Sequence, residues 1–486
     1  SMPVAISKMI SSRLARGEYK NCRRILYAGL MYATITGALA AAVLWFGADL
    51  FAGLIKTPFS SYALKTLAPT IWIMAYLGVL RGYFQGTGTM VPTAVSQILE
   101  QIVNAVVSVV AAGLLFNVGL GLNAAHQAEE YSYALGAAGG TIGTGAGALT
   151  ALIFFLLLTL TKGKQAVSEN GEEKQESTYT ESYGRLTYIL IITVYNCSNV
   201  VDNYLFGQGM DSLGYTASQI AIFWGALGQY QLLFNIPVAV SNALSSSLIP
   251  SLTRSVASGN RQQMLERISV SIRFSMLIAI PAAVGIAVLA EPVCNLLFIS
   301  EDNSLLIRLS MAGAIAVVFF SLSTVTNAIL QGLNRMEVPV RHAVASLAVH
   351  VAVLEVLLLV FGLGIYSVVF ANIVFAFTMC LLNGRVIAKH AGYRQEYKKT
   401  FLLPAVCAAV MGGAAWIVYK GIEMLLPAFL LRGRAGMCIV VLPSVAAAVA
   451  VYAVLLVKLH AIDEEELKSM PGGRRLTGLL KRVHVL

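Results

Sequence analysis

Stretches of about twenty apolar residues recur between residues 26 and 457. Each is long enough for a helix to cross the hydrocarbon core of a bilayer. That core holds no water, so a crossing backbone must satisfy its own amides, and only helices and closed barrels do so. Runs this long and this apolar select helices. We read twelve spans, at 26–53, 67–85, 91–117, 132–160, 184–207, 217–248, 270–298, 306–330, 338–361, 364–388, 401–420 and 436–457. Composition agrees: 57% of residues are hydrophobic and 12% charged, against about 25% charged in soluble chains. Such runs are too many for a signal peptide or one anchor to account for.

The net charge of +10 is unevenly placed, which argues against a nucleic-acid partner. With the segment before the first span set inside, 28 of the 34 Lys and Arg fall on the cytoplasmic side. Only Lys56, Lys65, Arg308, Lys420, Arg432 and Arg434 fall outside. Membrane proteins retain positive charge inside, and a miscounted span would invert every later loop. The C-terminus is then cytoplasmic. The six cysteines form no CxxC pair. They read as small apolar residues, not as metal ligands.

The chain repeats itself. PVAISKMISS at 3–12 returns as PVAVSNALSS at 237–246, and FQGTGTMVPTAV at 84–95 returns as LQGLNRMEVPVRHAV at 330–344. Both copies face the cytoplasm, so the repeat is parallel, the arrangement that relates two transporter halves about an axis along the membrane normal. Two spans precede the second copy of the opening phrase, whereas two residues precede the first. Symmetry therefore leads us to expect a natural protein of about fourteen helices, of which this chain carries twelve. The expected organisation is an N-terminal lobe at 1–160, a polar cytoplasmic linker at 161–182, a six-helix C-terminal lobe at 183–390, an appended helix pair at 391–460 and a basic tail at 461–486.

Ionisable and amide side chains inside spans are costly in lipid and mark candidate sites. Arg81 supplies a forked cation suited to a pyrophosphate, or it snorkels to the interface. Gln97, Glu100, Gln101 and Asn104 share one helix face. They line a cavity or form a network between helices, and Glu100 pairs with Arg81 or carries a proton. Asn196, Asn199 and Asn203 form a second stripe beside Asp202, which reads equally as a coupling-ion ligand or an interfacial cap. Gln229, Gln231, Asn235 and Asn242 continue the polar surface. Lys8 and Asn242 occupy equivalent repeat positions and are candidates for a cytoplasmic gate. Gly139, Gly143 and Gly147 allow close helix packing or bending, and Pro237 removes a backbone hydrogen bond from its helix. The run GGTIGTGAGA lacks the strand–helix–strand setting of a dinucleotide site. Glu355 has no evident partner.

Several stretches resemble the multidrug/oligosaccharidyl-lipid/polysaccharide exporter superfamily, in particular its stage V sporulation protein B and polysaccharide-biosynthesis branch. They are PVAISKMIS with ARGEYK after it, LRGYFQGTGTMVPTAVSQILEQ (80–101), GAAGGTIGTGAGAL (136–149) and IPVAVSNALSSSLIPSLTRSVASGN (236–260). The last two also resemble the lipid II flippase family. The resemblance implies an all-α fold of two pseudo-twofold-related bundles with a terminal helix pair. It implies flipping of an undecaprenyl-linked sugar precursor: lipid II, or a teichoic-acid or polysaccharide unit. It also implies a Gram-positive plasma membrane. The chain departs from the lipid II flippases at GQYQLLFNIP (228–237), where they carry an arginine.

The leading expectation is a monomeric flippase working by alternating access, driven by the membrane potential or by a coupling ion, Na+ or H+. It needs no cofactor, and its setting is the cell-wall synthesis machinery. A cation-coupled multidrug antiporter would use Asp202 and Glu100. A membrane glycosyltransferase is the third reading. The six histidines are scattered, and no paired acids or DxD motif stand in a cytoplasmic loop.

Overall fold

The computed structural model describes residues 2–14, 17–89, 91–127, 130–162, 198–298, 302–335, 337–427 and 433–459. No strand occurs among them. The helices are α1 Met2–Leu14, α2 Tyr19–Leu54, α3 Ser61–Gly86, α4 Val91–His126, α5 Glu130–Lys162, α6 Ser198–Ser212, α7 Ala217–Ala257, α8 Arg261–Val288, α9 Ala290–Leu297, α10 Ser304–Gly313, α11 Ala316–Gly332, α12 Glu337–Glu355, α13 Ile365–Ala391, α14 Leu403–Leu425 and α15 Gly433–Lys458.

Among the described residues nine helices are long and apolar enough to cross a membrane, ten if α10 and α11 form one span. The span expected at 306–330 is thus bent by 49° between these two helices, and the one expected at 270–298 breaks at Leu289 into α8 and α9. Of the span expected at 184–207, residues 184–197 lie outside the described set, and α6 carries the remainder. The expected span at 217–248 is the body of α7, a 41-residue helix that continues through the buried Pro237. The linker at 163–182, the tail at 461–486 and Asn196 also lie outside.

The chain divides into two compact units. The first holds α1–α5 together with Asn203–Asp211 and Tyr215–Ile220; the second holds Ser212–Gly214 and everything described from Ala221 onward, with the start of α6. Specific contacts hold Asn203–Asp211 in the first unit. Gln208 donates to the Leu54 carbonyl at 2.9 Å, Lys56 pairs with Asp211 at 2.9 Å, and Gly207 lies against Ile55. In the second unit the C-terminal pair α14–α15 packs on α8. Tyr452 donates to the Leu277 carbonyl at 3.0 Å, and Arg273 pairs with Glu396 at 2.7 Å.

The repeat is visible at the turns. In the first copy Gly88 has φ +88°, its amide donates to the Gln85 carbonyl at 3.1 Å, and the Thr89 amide reaches Phe84 at 3.4 Å. In the second, Asn334 has φ +60°, its amide donates to Gln331 at 3.0 Å, and the Arg335 amide reaches Leu330 at 2.9 Å. Each caps a helix with a left-handed residue of the type that closes helix C-termini. Asparagine tolerates that conformation better than most side chains. The turns at Gly17 and Gly259 match in the same way, with φ +76° and +68°. The two copies thus share backbone geometry as well as letters.

Candidate functional site

In the first unit, α3 and α4 bring Arg81 and Glu100 together. Arg81 Nη2 donates to Glu100 Oε2 at 2.6 Å, and Nε donates to Ser96 Oγ at 3.3 Å. Both charged side chains are only 11% exposed, so Arg81 turns inward and does not snorkel. Ser96 in turn donates to the Thr93 carbonyl at 2.7 Å. Charge-assisted bonds in a dry setting are the strong ones, and a lone charge there would be costly. The pair is therefore a fixed link between two helices.

The glycines of α5 secure the same region. Gly139, Gly143 and Gly147 lie four apart, and each meets α4 backbone. A methyl group on Gly139 would stand 2.5 Å from the Ala111 carbonyl, and one on Gly147 would stand 2.5 Å from the Glu100 carbonyl oxygen. One on Gly143 would overlap the Ser108 backbone. This ladder presses α5 onto the turn that carries Glu100. Asn104 joins it: its Oδ1 lies 2.8 Å from the Ser108 hydroxyl and 3.5 Å from that of Thr144. Half of the predicted α4 stripe, Glu100 and Asn104, is thus engaged within the unit. Gln97 and Gln101 are exposed beside it. Lys8 lies on α1, but its side chain is outside the described set. Asn242 is exposed on α7.

In the second unit, Asp202 is 1% exposed and His350 is 0% exposed. Asp202 Oδ1 is hydrogen-bonded to His350 Nε2, and its Oδ2 accepts from Asn372 Nδ2 at 3.3 Å. This corrects the interfacial-cap reading of Asp202: the carboxylate sits among helices α6, α12 and α13, where only a paired charge is tolerated.

A cavity of about 170 Å³ opens directly beside this pair. Asn199, Gln231, Asn235 and Asn372 present amides to it, and Tyr230, Phe234, Phe320 and Phe375 present rings. Three predicted residues, Asn199, Gln231 and Asn235, therefore share one wall system. Tyr230 is anchored by its hydroxyl, which donates to the Gly313 carbonyl at 2.8 Å. Phe234 lies 5.2 Å from the Tyr230 ring and 5.4 Å from that of Phe320.

The sequence reading missed His350 and Asn372, and a second cluster around Asn383. Asn383 donates to Thr326 Oγ1 at 3.1 Å and Asn327 Oδ1 at 2.8 Å, and accepts from His342 Nδ1 at 2.8 Å. A signal was present. His342, Ser346 and His350 stand four apart in the apolar run of α12, the spacing that puts residues on one helix face.

Two compact units, repeated turns and apolar helices with buried charge describe a multi-span helical membrane protein built from a repeat. A family model described as "Lipid II flippase MurJ" matches residues 20–433. This chain belongs to the MurJ family. Among curated MurJ relatives, the lipid II flippase MurJ of Bacillus subtilis (strain 168) is 28% identical over 444 residues, covering 86% of this chain and 78% of the relative. Stage V sporulation protein B of the same organism is 23% identical over 493 residues, covering 97% and 87%. Among solved structures, a lipid II flippase MurJ in an inward closed conformation aligns with TM-score 0.59 at 12% identity, over 94% of this chain and 89% of that one. An inward-facing multidrug resistance MATE transporter of the MOP superfamily aligns with TM-score 0.62 at 15% identity, over 80% and 86%. These last two likenesses place the chain in the MOP fold. As a multi-pass member of the MurJ family, the protein resides in the plasma membrane.

Proposed function

We propose that this chain moves an undecaprenyl-linked sugar precursor across the plasma membrane by alternating access of its two halves. The cargo is lipid II or a related teichoic-acid or polysaccharide unit. The observation that carries the reading is the MurJ family match over residues 20–433. Similarity to stage V sporulation protein B supports a cargo within the cell-wall class. The step makes and breaks no covalent bond. The sugar-pyrophosphate head crosses through a polar path while its lipid tail stays in the bilayer. An anionic head moved outward gains about 2.3 kcal/mol per charge per 100 mV of potential, positive outside. Either that potential or a coupling ion, Na+ or H+, drives the cycle. The charge bias of the loops supports a cytoplasmic C-terminus, and the Bacillus relatives support a Gram-positive host. We read the working unit as a monomer operating beside the cell-wall synthesis machinery.

A cation-coupled multidrug antiporter is the second reading, favoured by the MATE-like fold. It needs an acid free to meet a cationic drug. Glu100 is engaged with Arg81 and Asp202 with His350, which argues against it. Vesicles containing the full chain should translocate a labelled lipid-linked sugar and should not accumulate a labelled cationic drug. The reverse outcome would establish the antiporter.

A further inference from the structure

The amide-and-aromatic cavity of the second unit has a chemistry of its own. Its lining carries no charged side chain among the described residues, and Asp202, which accepts from the lining residue Asn372, is engaged by His350. Among the described residues a cation finds no bare acid there, and a phosphate finds no cation. The side chains of Asn199, Gln231 and Asn235 make no hydrogen bond to any described residue. Each therefore offers both a donor and an acceptor to the cavity. Asn372 gives its Nδ2 to Asp202 and retains its carbonyl oxygen.

Neutral vicinal hydroxyls both donate and accept, and paired amides match them. Aromatic rings stand beside these amides on the same helices. Tyr230, Phe234 and Phe320 form a continuous run of rings, and Phe375 adds a fourth. Aromatic faces are electron-rich and suit the polarised C–H face of a sugar ring. Size sets the scale. At about 170 Å³ the cavity is well below the roughly 300–1,000 Å³ of drug-sized sites, too small for a complete head group.

We propose that this cavity is a docking subsite for one neutral pyranose ring of the transported head group. This assignment rests on the export reading above and names the part of the cargo that the second unit holds. The walls are pre-organised, as a selective site requires. Tyr230 is fixed through Gly313, and Asn372 is oriented by Asp202. The pair Asp202–His350 thus acts on the site as a positioning element, one side chain behind its wall.

The experiment is saturation-transfer NMR on the full chain in lipid nanodiscs, which avoids sugar-headed detergents. The probes are the methyl glycosides of N-acetylglucosamine and glucose, with pyrophosphate and tetraphenylphosphonium as anionic and cationic comparators. Ring-proton signals from at least one glycoside should appear, and neither comparator should displace it. Gln231→Ala and Asn235→Ala should each weaken binding by on the order of tenfold, the worth of a lost hydrogen bond. Both side chains are at least partly exposed, so thermal unfolding should stay near wild type and confirm the fold. Phe320→Ala should remove the aromatic contact and its saturation transfer. Absence of glycoside binding, binding unaffected by the amide variants, or displacement by either comparator would overturn the subsite. Translocation of a labelled lipid-linked sugar, measured on the same preparation, separates the two claims. A wild type that translocates without glycoside binding refutes the subsite alone, and one that binds glycoside without translocating refutes the export reading.

Discussion

Removing one member of the Arg81–Glu100 pair should damage the first unit far more than removing both. The two side chains meet at 2.6 Å and are each 11% exposed. Gly147 holds α5 against the Glu100 carbonyl, so the region has little room to rearrange and admit water. Arg81→Met leaves Glu100 as an uncompensated charge, and Glu100→Leu does the same to Arg81. Breaking a buried pair in this way costs about 3–5 kcal/mol, whereas replacing both partners by apolar side chains is often close to neutral. For a unit of this size each kcal/mol shifts the unfolding midpoint by roughly 2–4 °C. Each single variant should then melt roughly 6–20 °C below wild type, and the double variant should recover most of that loss. The assay is thermal unfolding of the four proteins in nanodiscs, read as a double-mutant cycle. The coupling energy should be at least about 3 kcal/mol, the top of the range for residues in contact. Single losses below about 1 kcal/mol, the range of exposed pairs, would refute the reasoning. Additive losses in the double variant would refute it equally.

Gly143→Ala should destabilise the chain, because the added methyl overlaps the Ser108 backbone. Gly140→Ala, which meets nothing within 4 Å, should be neutral or stabilising by about 0.5–1 kcal/mol through helix propensity; equal effects at the two positions in a thermal melt would contradict the packing ladder. Asp202→Asn and His350→Phe should each lower the melting temperature. Their combination should restore part of it, and a purely additive combination would show that the two residues do not act as a pair. Tyr230→Phe removes the bond to the Gly313 carbonyl and should cost about 1 kcal/mol; an unchanged melt would show that the ring needs no anchor.

The spans and the repeat were legible in the letters because both are local. Apolar runs fix helices without reference to anything distant, and the Gly88 and Asn334 turns each close on carbonyls three to five residues back in the chain. Arg81 and Glu100 were identifiable as partners for a similar reason: they lie on consecutive helices, 19 residues apart. The exposure of Gln97 and Gln101 was not readable, because it depends on where α5 docks across the polar stripe of α4. Asp202 and His350 are separated by 148 residues. Neither residue alone shows that α6 meets α12 at that depth, so Asp202 was open to an interfacial reading. The stripe of His342, Ser346 and His350 was the one local hint, and only tertiary packing supplied the carboxylate it faces.

As a member of the MurJ family, this chain should carry a lipid-linked sugar across a membrane. The most direct measurement uses proteoliposomes containing the full chain and an undecaprenyl-linked sugar loaded in the inner leaflet. A membrane-impermeant sugar-oxidising reagent outside reports how fast the head group arrives there. Arrival should be well above the rate of protein-free vesicles and accelerated by an outside-positive potential. Arrival no faster than in protein-free vesicles would contradict it.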